Sequence, residues 1–324
     1  MMQTNLSLYR LSGLAAAAGL SLMACNKPEE AASEAPSPAP ANAEGDADDE
    51  ASAALIERGE YLAAVTGCQH CHTPFDEHGP NVEMAYAGGL EVPEPFGTWR
   101  STNITQDEET GIGAWTDEEI IRSIREGVRP DGERLFPIMP YMHYNVLSDE
   151  DAAALVAYLR TIEPIENEVQ RALDLKMPQP EAPTPTGNPV SPSDPVAWGS
   201  YLADLMHCAA CHSPPTERGG PDMSRAFQGG FHFELPMFGD GVLYSTNLTP
   251  DEETGIGAWT DEELVNSIRR MQKRDGSLIL GPMALYQRGW YQLSDEDAHA
   301  IVAFLRSLPP AHNEIPASTF EPRK

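Results

Sequence analysis

Two five-residue patterns hold the reactive side chains of this chain: Cys68-Gln69-His70-Cys71-His72 and Cys208-Ala209-Ala210-Cys211-His212. Cys-x-x-Cys-His is the attachment signature of covalent c-type haem. The two thiols add to the two vinyl groups of one porphyrin, and the adjacent histidine is held beneath the iron as its first axial ligand. His72 and His212 are thus the candidate iron ligands, two covalent haem c groups are expected, and the expected chemistry is electron chemistry on iron. Two other readings use the same residues. A bare Cys-x-x-Cys can be a redox disulfide or half a zinc site. A redox disulfide belongs at a strand end in a βαβ pattern, which this sequence does not display. A four-cysteine zinc site gathers its ligands within a short stretch, whereas these pairs lie 140 residues apart, each with its own histidine.

The elements that must position these residues occur twice. Gly59-x-Tyr61-Leu62-Ala63 recurs as Gly199-x-Tyr201-Leu202-Ala203, and Ser101-Thr102-Asn103 recurs as Ser245-Thr246-Asn247. The stretch from Asp107 to Glu119 is identical to that from Asp251 to Glu263, and Leu147-Ser148-Asp149-Glu150-Asp151-Ala152 returns as Leu293-Ser294-Asp295-Glu296-Asp297-Ala298. This is a duplicated domain. Each copy reads as helical. A first helix, near Ala53 to Cys68 or Pro195 to Cys208, leads into the haem motif. A second begins at a capping box, Thr116-x-x-Glu119 or Thr260-x-x-Glu263, in which hydroxyl and carboxylate satisfy free amides at the helix start. A last helix begins at Ser148-x-x-Asp151 or Ser294-x-x-Asp297. It continues with Leu155, Val156, Tyr158 and Leu159, or Ile301, Val302, Phe304 and Leu305, at helical spacing. Pro164 and Pro309 stop it. Strands have little support. The Gly- and Pro-rich loops between helices need something large to pack on, and haem acts as that staple.

This pattern resembles tandem class I cytochrome c domains, across both repeats. The Asn-Ile/Leu-Thr-x-Asp-x-x-Thr-Gly-Ile-Gly segment is similar to that of cytochrome c subunits and soluble dihaem cytochromes associated with bacterial periplasmic dehydrogenases. The resemblance implies an all-α fold in which the first and last helices cross beside the haem, with Tyr61 against Tyr158 and Tyr201 against Phe304. It implies a methionine as sixth iron ligand, in the loop before the last helix. Asp131-Gly132 and Asp275-Gly276 align, and eight residues beyond each aspartate stand Met139, before Pro140, and Met283, after Pro282. These are the candidate ligands; Met142 competes in the first copy. Thioether ligation raises the reduction potential. The resemblance also implies that a proline carbonyl, Pro80 or Pro221, accepts the other ring N–H of the ligand histidine. Trp115 and Trp259 reach the propionates or cap the pocket. Arg100 pairs with a propionate in the first copy, where Tyr244 stands in the second. That difference, and Trp99 against Leu243, implies unequal potentials. His70, His78, His143, His207, His232, His299 and His312 lack repeat partners, and most of them read as surface residues.

The segments divide as follows. Residues 1–24 read as a signal of lipoprotein type, with Arg10 before an apolar run from Leu11 to Ala24. Leu22-Met23-Ala24-Cys25 resembles a lipobox, making Cys25 the lipidated residue; an ordinary signal cleaved near Ala24 is the alternative. Four of the five cysteines belong to the haem motifs, and Cys25 is the remainder. Residues 25–52 read as a disordered acidic tether, 53–165 as the first domain and 166–194 as a Pro-rich extended linker. Residues 195–311 read as the second domain and 312–324 as a tail. Anchoring is expected through lipid alone, in the periplasm, with the outer membrane favoured.

The formal net charge is −29. Nucleic acid and anionic membrane surfaces are poor partners for such a chain. A redox protein with a basic docking surface is a good one, because complementary charge speeds encounter; plain solubility or a salty habitat explains the charge equally well. The leading expectation is a dihaem electron carrier without catalytic residues, moving electrons between a dehydrogenase or quinol-oxidising complex and a downstream cytochrome or oxidase. A dihaem cytochrome c peroxidase is the alternative; it needs one open haem, and the likeness of the repeats argues against that asymmetry. A thiosulfate-oxidising dihaem enzyme would want a spare cysteine inside a domain, and neither has one.

Overall fold

The computed structural model describes residues 43–76, 79–94, 97–170, 181–217, 219–235 and 239–322. Residues Glu44–Lys324 form one compact unit. The expected signal segment, Cys25 and most of the expected tether lie outside the described residues.

The first repeat contains α1 (Ala43–Thr66), the single turn α2 (Cys68–Cys71), α3 (Asp117–Glu126), α4 (Tyr141–Tyr144) and α5 (Asp149–Leu159). The second contains α6 (Pro195–Leu205), α7 (Cys208–Cys211), α8 (Asp261–Arg270), α9 (Pro282–Leu285), α10 (Gln287–Trp290) and α11 (Asp295–Ser307). Helix α1 starts ten residues before the expected boundary at Ala53. No proline follows Pro40 in this stretch, and alanine and glutamate sustain a helix well, so the tether's composition does not prevent helix formation. Both expected capping boxes are present: Thr116 with Glu119, and Thr260 with Glu263.

Short antiparallel ribbons supplement the helices. They pair β1 (Phe75–Asp76) with β2 (Gly79–Pro80), β3 (Glu91–Glu94) with β4 (Gly97–Arg100), and β5 (His232–Glu234) with β7 (Val242–Tyr244). A fourth joins β6 (Gly239–Asp240) to β8 (Glu321–Pro322). The ribbons were not legible as alternating apolar runs, because they are two to four residues long.

In each repeat the first and last helices cross at a glycine. A Cβ on Gly59 would stand 1.9 Å from the Ala154 carbonyl oxygen, and one on Gly199 1.9 Å from that of Ala300. The expected aromatic partners of Tyr158 and Phe304 change, however. Tyr158 meets Tyr86, with ring centroids 6.2 Å apart and hydroxyls at 3.1 Å; Phe304 meets Phe227 at 5.4 Å.

Tyr61 and Tyr201 instead cross to the opposite repeat. The Tyr201 hydroxyl donates to Asp151 Oδ2 at 2.6 Å and accepts the Ser148 amide at 3.4 Å. The Tyr61 hydroxyl donates to Asp297 Oδ2 and accepts the Ser294 amide. Each tyrosine of a first helix thus enters the start of the other repeat's last helix, bridging its N-cap amide and third-position carboxylate. Asp151 also takes two bonds of 2.8 Å from Arg58, and Asp297 takes one of 2.6 Å from the Trp198 indole. These carboxylates therefore serve the contact between repeats, while Ser148 and Ser294 cap the helix starts by accepting the Asp151 and Asp297 amides. One apolar core continues from Leu62, Leu147 and Leu155 into Leu202, Leu293 and Ile301.

The repeats extend past their expected ends. Asn167 donates its amide to Thr110 Oγ1 at 3.0 Å and its side chain to the Ala87 carbonyl at 2.8 Å; Asn313 makes the matching bonds to Thr254 and Gln228. Asn167 of the expected linker therefore packs with the first domain, and Asn313 of the expected tail with the second. Further along the Pro-rich segment, the Thr186 amide donates to the Asn145 carbonyl at 3.0 Å, and Gly187 bridges Ser148.

Candidate haem centres

Each haem motif is one helical turn entered through a left-handed residue, Gly67 with φ 80° or His207 with φ 44°. The turn places Cys68 and Cys71, or Cys208 and Cys211, on one wall, and none of the four is in a disulfide. Burial pushes their acidities down: Cys71 and Cys211 rise to about 11 and Cys208 to about 12, and Cys68 is also raised. A redox dithiol works through a depressed thiol pKa, and the shift here runs the other way. Among the described residues no group of three His, Cys, Asp or Glu side chains could hold a metal ion, so the zinc reading lacks its ligands.

The ligand histidines are oriented identically. His72 Nδ1 lies 2.7 Å from the Thr102 carbonyl, and His212 Nδ1 lies 2.8 Å from that of Thr246. With Nδ1 donating, Nε2 is left as the metal-binding nitrogen. Burial lowers the basicity of both rings, which favours the neutral form a ligand needs. The expected proline carbonyls do not fill this role. Pro80 lies exposed in β2, and Pro221 faces Pro215 across an isolated bridge.

The threonine carbonyls are held by the neighbouring asparagines. Asn103 Oδ1 accepts from the Thr105 amide at 2.9 Å and hydroxyl at 2.8 Å, while its Nδ2 donates to Thr110 Oγ1 and the Ile165 carbonyl. Asn247 repeats this network with Thr249, Thr254 and Ala311. Composition and helical period carried no sign of this acceptor. The signal was the duplicated Ser-Thr-Asn itself.

A cavity of about 2420 Å³ borders Cys68, Cys71, His72 and Met139 and reaches Cys211 and Tyr286 of the second repeat. Trp99 lines it with a buried indole N–H that has no hydrogen-bond partner. An orphaned buried donor of this kind suits a propionate oxygen. Size, thiols, oriented imidazole and donor all fit haem. When bound, haem supplies the redox couple, and the protein supplies its tethering and orientation. Met142 also borders the cavity but is exposed. Met283 lies in α9, partly buried against the core. Arg100 borders the cavity and is paired with Glu91 at 2.7 Å. Trp115 borders it beneath Arg129, whose guanidinium lies 5.0 Å from the ring centroid; Trp259 packs under Arg274 at 5.6 Å.

Three of the histidines without repeat partners lie together among aromatic rings instead of at the surface. His70 and His207 lie 4.9 and 5.4 Å from the Tyr286 ring, and His143 lies 6.3 Å from His207. Burial lowers His70 and His207 to about 4 and also lowers His143.

Comparison with known proteins agrees with this geometry. Residues 54–159 match the family model described as cytochrome C oxidase, cbb3-type, subunit III, and residues 196–309 match that described as cytochrome c. A diheme cytochrome c-type protein of Cereibacter sphaeroides is 30% identical over 265 residues, covering 78% of this chain and 85% of that one. The chain belongs to the tandem dihaem c-type cytochromes. It carries two covalently bound haem c groups, at Cys68 and Cys71 and at Cys208 and Cys211. The gluconate 2-dehydrogenase cytochrome c subunit of Pantoea cypripedii is 35% identical over 281 residues, covering 80% of this cytochrome and 61% of that subunit. The cytochrome c subunit of a quinone alcohol dehydrogenase of Gluconacetobacter polyoxogenes is 32% identical over 290 residues, covering 84% and 60%. This cytochrome therefore spans about 60% of the length of the first curated relatives it matches. Among its described residues no helix is long and apolar enough to cross a membrane.

Proposed function

We propose that this cytochrome takes electrons from a periplasmic dehydrogenase or quinol-oxidising complex and passes them to a downstream cytochrome or terminal oxidase. The observation that carries the reading is the equivalence of the two histidine sites, whose ring nitrogens meet matching carbonyls at 2.7 and 2.8 Å. A carrier wants both irons closed by strong ligands, whereas a peroxidase wants one open. His72 with Met139, and His212 with Met283, form the two ligand pairs. The thioether stabilises ferrous iron and keeps exogenous ligands out.

Several relatives are named as cytochrome subunits of dehydrogenases, which supports a dehydrogenase as donor. The net charge of −29 favours a partner with a basic surface, met briefly and faster at low salt. Cys25 as a lipid anchor would hold the molecule at a bacterial membrane, with the outer membrane preferred. The test is purification of the full tagged chain from its native membranes under mild detergent. The expected result is co-purification of a flavin, quinone or molybdenum dehydrogenase whose substrate reduces both haems. Isolation of the cytochrome alone, with rapid peroxide turnover, would overturn the reading.

A further inference from the structure

The two haem motifs approach each other through two side chains of the second repeat. His207 immediately precedes Cys208, and its ring hydrogen-bonds the Thr66 carbonyl, two residues before Cys68. The Tyr286 hydroxyl bonds Cys71 Sγ, the sulfur that becomes a thioether to the porphyrin. The Tyr286 ring lies 5.4 Å from that of His207 and 4.9 Å from that of His70. Cys71, Cys211, His207 and Tyr286 border one cavity.

Three features of the chain build this contact. Gly67 leaves room for the tyrosine, since a Cβ there would lie 2.4 Å from Tyr286 Cε1. At the matching position of the second repeat, His207 holds φ 44° with a full side chain. A left-handed conformation is strained for a residue with a full side chain, and it aims the ring at the first repeat. Finally, the stretch from Met283 to Leu293 is two residues longer than that from Met139 to Leu147, and Tyr286 lies in it.

We infer that His207 and Tyr286 are the bridge through which the two haem sites exchange electrons within one molecule. The inference rests on the electron-carrier reading above. One electron leaves a ferrous site, which becomes ferric, and arrives at a ferric site, which becomes ferrous. No bond forms or breaks, no proton moves, and the bridging side chains stay unoxidised. Covalent and hydrogen-bonded links carry electronic coupling better than a gap. His207 spans from one motif to the other with a single hydrogen bond, and Tyr286 joins Cys71 to the His207 ring by one hydrogen bond and one ring contact.

The test is haem-methyl NMR of the half-reduced holoprotein at two protein concentrations. The wild type should show exchange between sites at a rate independent of concentration. His207→Leu with Tyr286→Leu should slow it by about tenfold or more, the rate being compared at the potential difference measured for each variant. His207→Gln, which still donates to Thr66, and Tyr286→Phe, which keeps the ring, should stay nearer the wild-type rate. Should the double leucine variant fail to take up haem, each single leucine substitution gives the same reading. An unchanged rate in the leucine variants overturns the inference, as does wild-type exchange that rises in proportion to concentration. Neither result bears on partner reduction, so the carrier reading stands or falls separately.

Discussion

At the scale of single residues, the haem anchors were fully legible because covalent attachment fixes residue type and spacing together. The partner of the ligand histidine was not, because it is a backbone carbonyl with no side-chain identity. Thr102 and Thr246 acquire that role only when Asn103 and Asn247 fold the loop around it. Asn103→Ala removes this buried network and should cost about 2–3 kcal/mol, read as earlier loss of first-domain haem absorbance in urea. The tyrosines were placed in the right helices but with the wrong partners. A buried hydroxyl seeks a polar partner, and the nearest carboxylate belongs to the other repeat. Tyr201→Phe leaves one Asp151 bond unmade and should destabilise the protein by about 1–3 kcal/mol, measurable by the same denaturation.

Asp204 carries a pH-dependent term at the same scale. Burial raises its carboxyl to about 6, from a usual value near 4. Between those values the folded state keeps a proton that the unfolded chain has released. This group's contribution therefore falls as pH rises from about 4 to 6 and stays low above that. Asp204→Asn should flatten the slope in that window and add up to about 3 kcal/mol near neutral pH. A urea midpoint series from pH 4 to pH 7 checks both.

At the scale of elements, the helices were legible from period, caps and proline stops, and the crossing glycines recurred in both copies. Their reason is steric. With 1.9 Å between a would-be Cβ and the facing carbonyl oxygen, α1 and α5, or α6 and α11, must separate to admit a methyl group. Gly59→Ala or Gly199→Ala should cost about 3 kcal/mol or more, at the upper end for overpacking. Reduced haem incorporation per chain and a lower unfolding midpoint are the readouts. The first boundary of α1 was misplaced because an acidic, alanine-rich stretch suits both a tether and a helix, and composition alone does not decide between them.

At the scale of the molecule, duplication was evident but the arrangement was not. The Pro-rich connector suggested two domains on a semi-rigid spacer. Two tyrosines exchanged across the boundary, a shared core and the Trp290 indole donating to the Val65 carbonyl at 2.9 Å make one body instead. Sequence could not reveal this, since Asp151 and Asp297 read only as first-turn residues of a helix start, which calls for no partner in the other repeat. The acidic surface belongs to this scale too. Reduction by a basic redox partner should slow as salt rises from about 10 to 150 mM, because screening shortens the reach of the charges that steer encounter.

The central claim is that this is a carrier whose two iron sites are both closed. It is tested most directly by the optical spectrum of the purified holoprotein, oxidised and reduced, alongside a haem count. The account predicts two haems per chain, both low-spin, with a red iron–sulfur charge-transfer band of two-haem intensity that Met139→Ala and Met283→Ala each halve. A high-spin component in the wild type, with half the band missing, would contradict it and leave one iron open for catalysis.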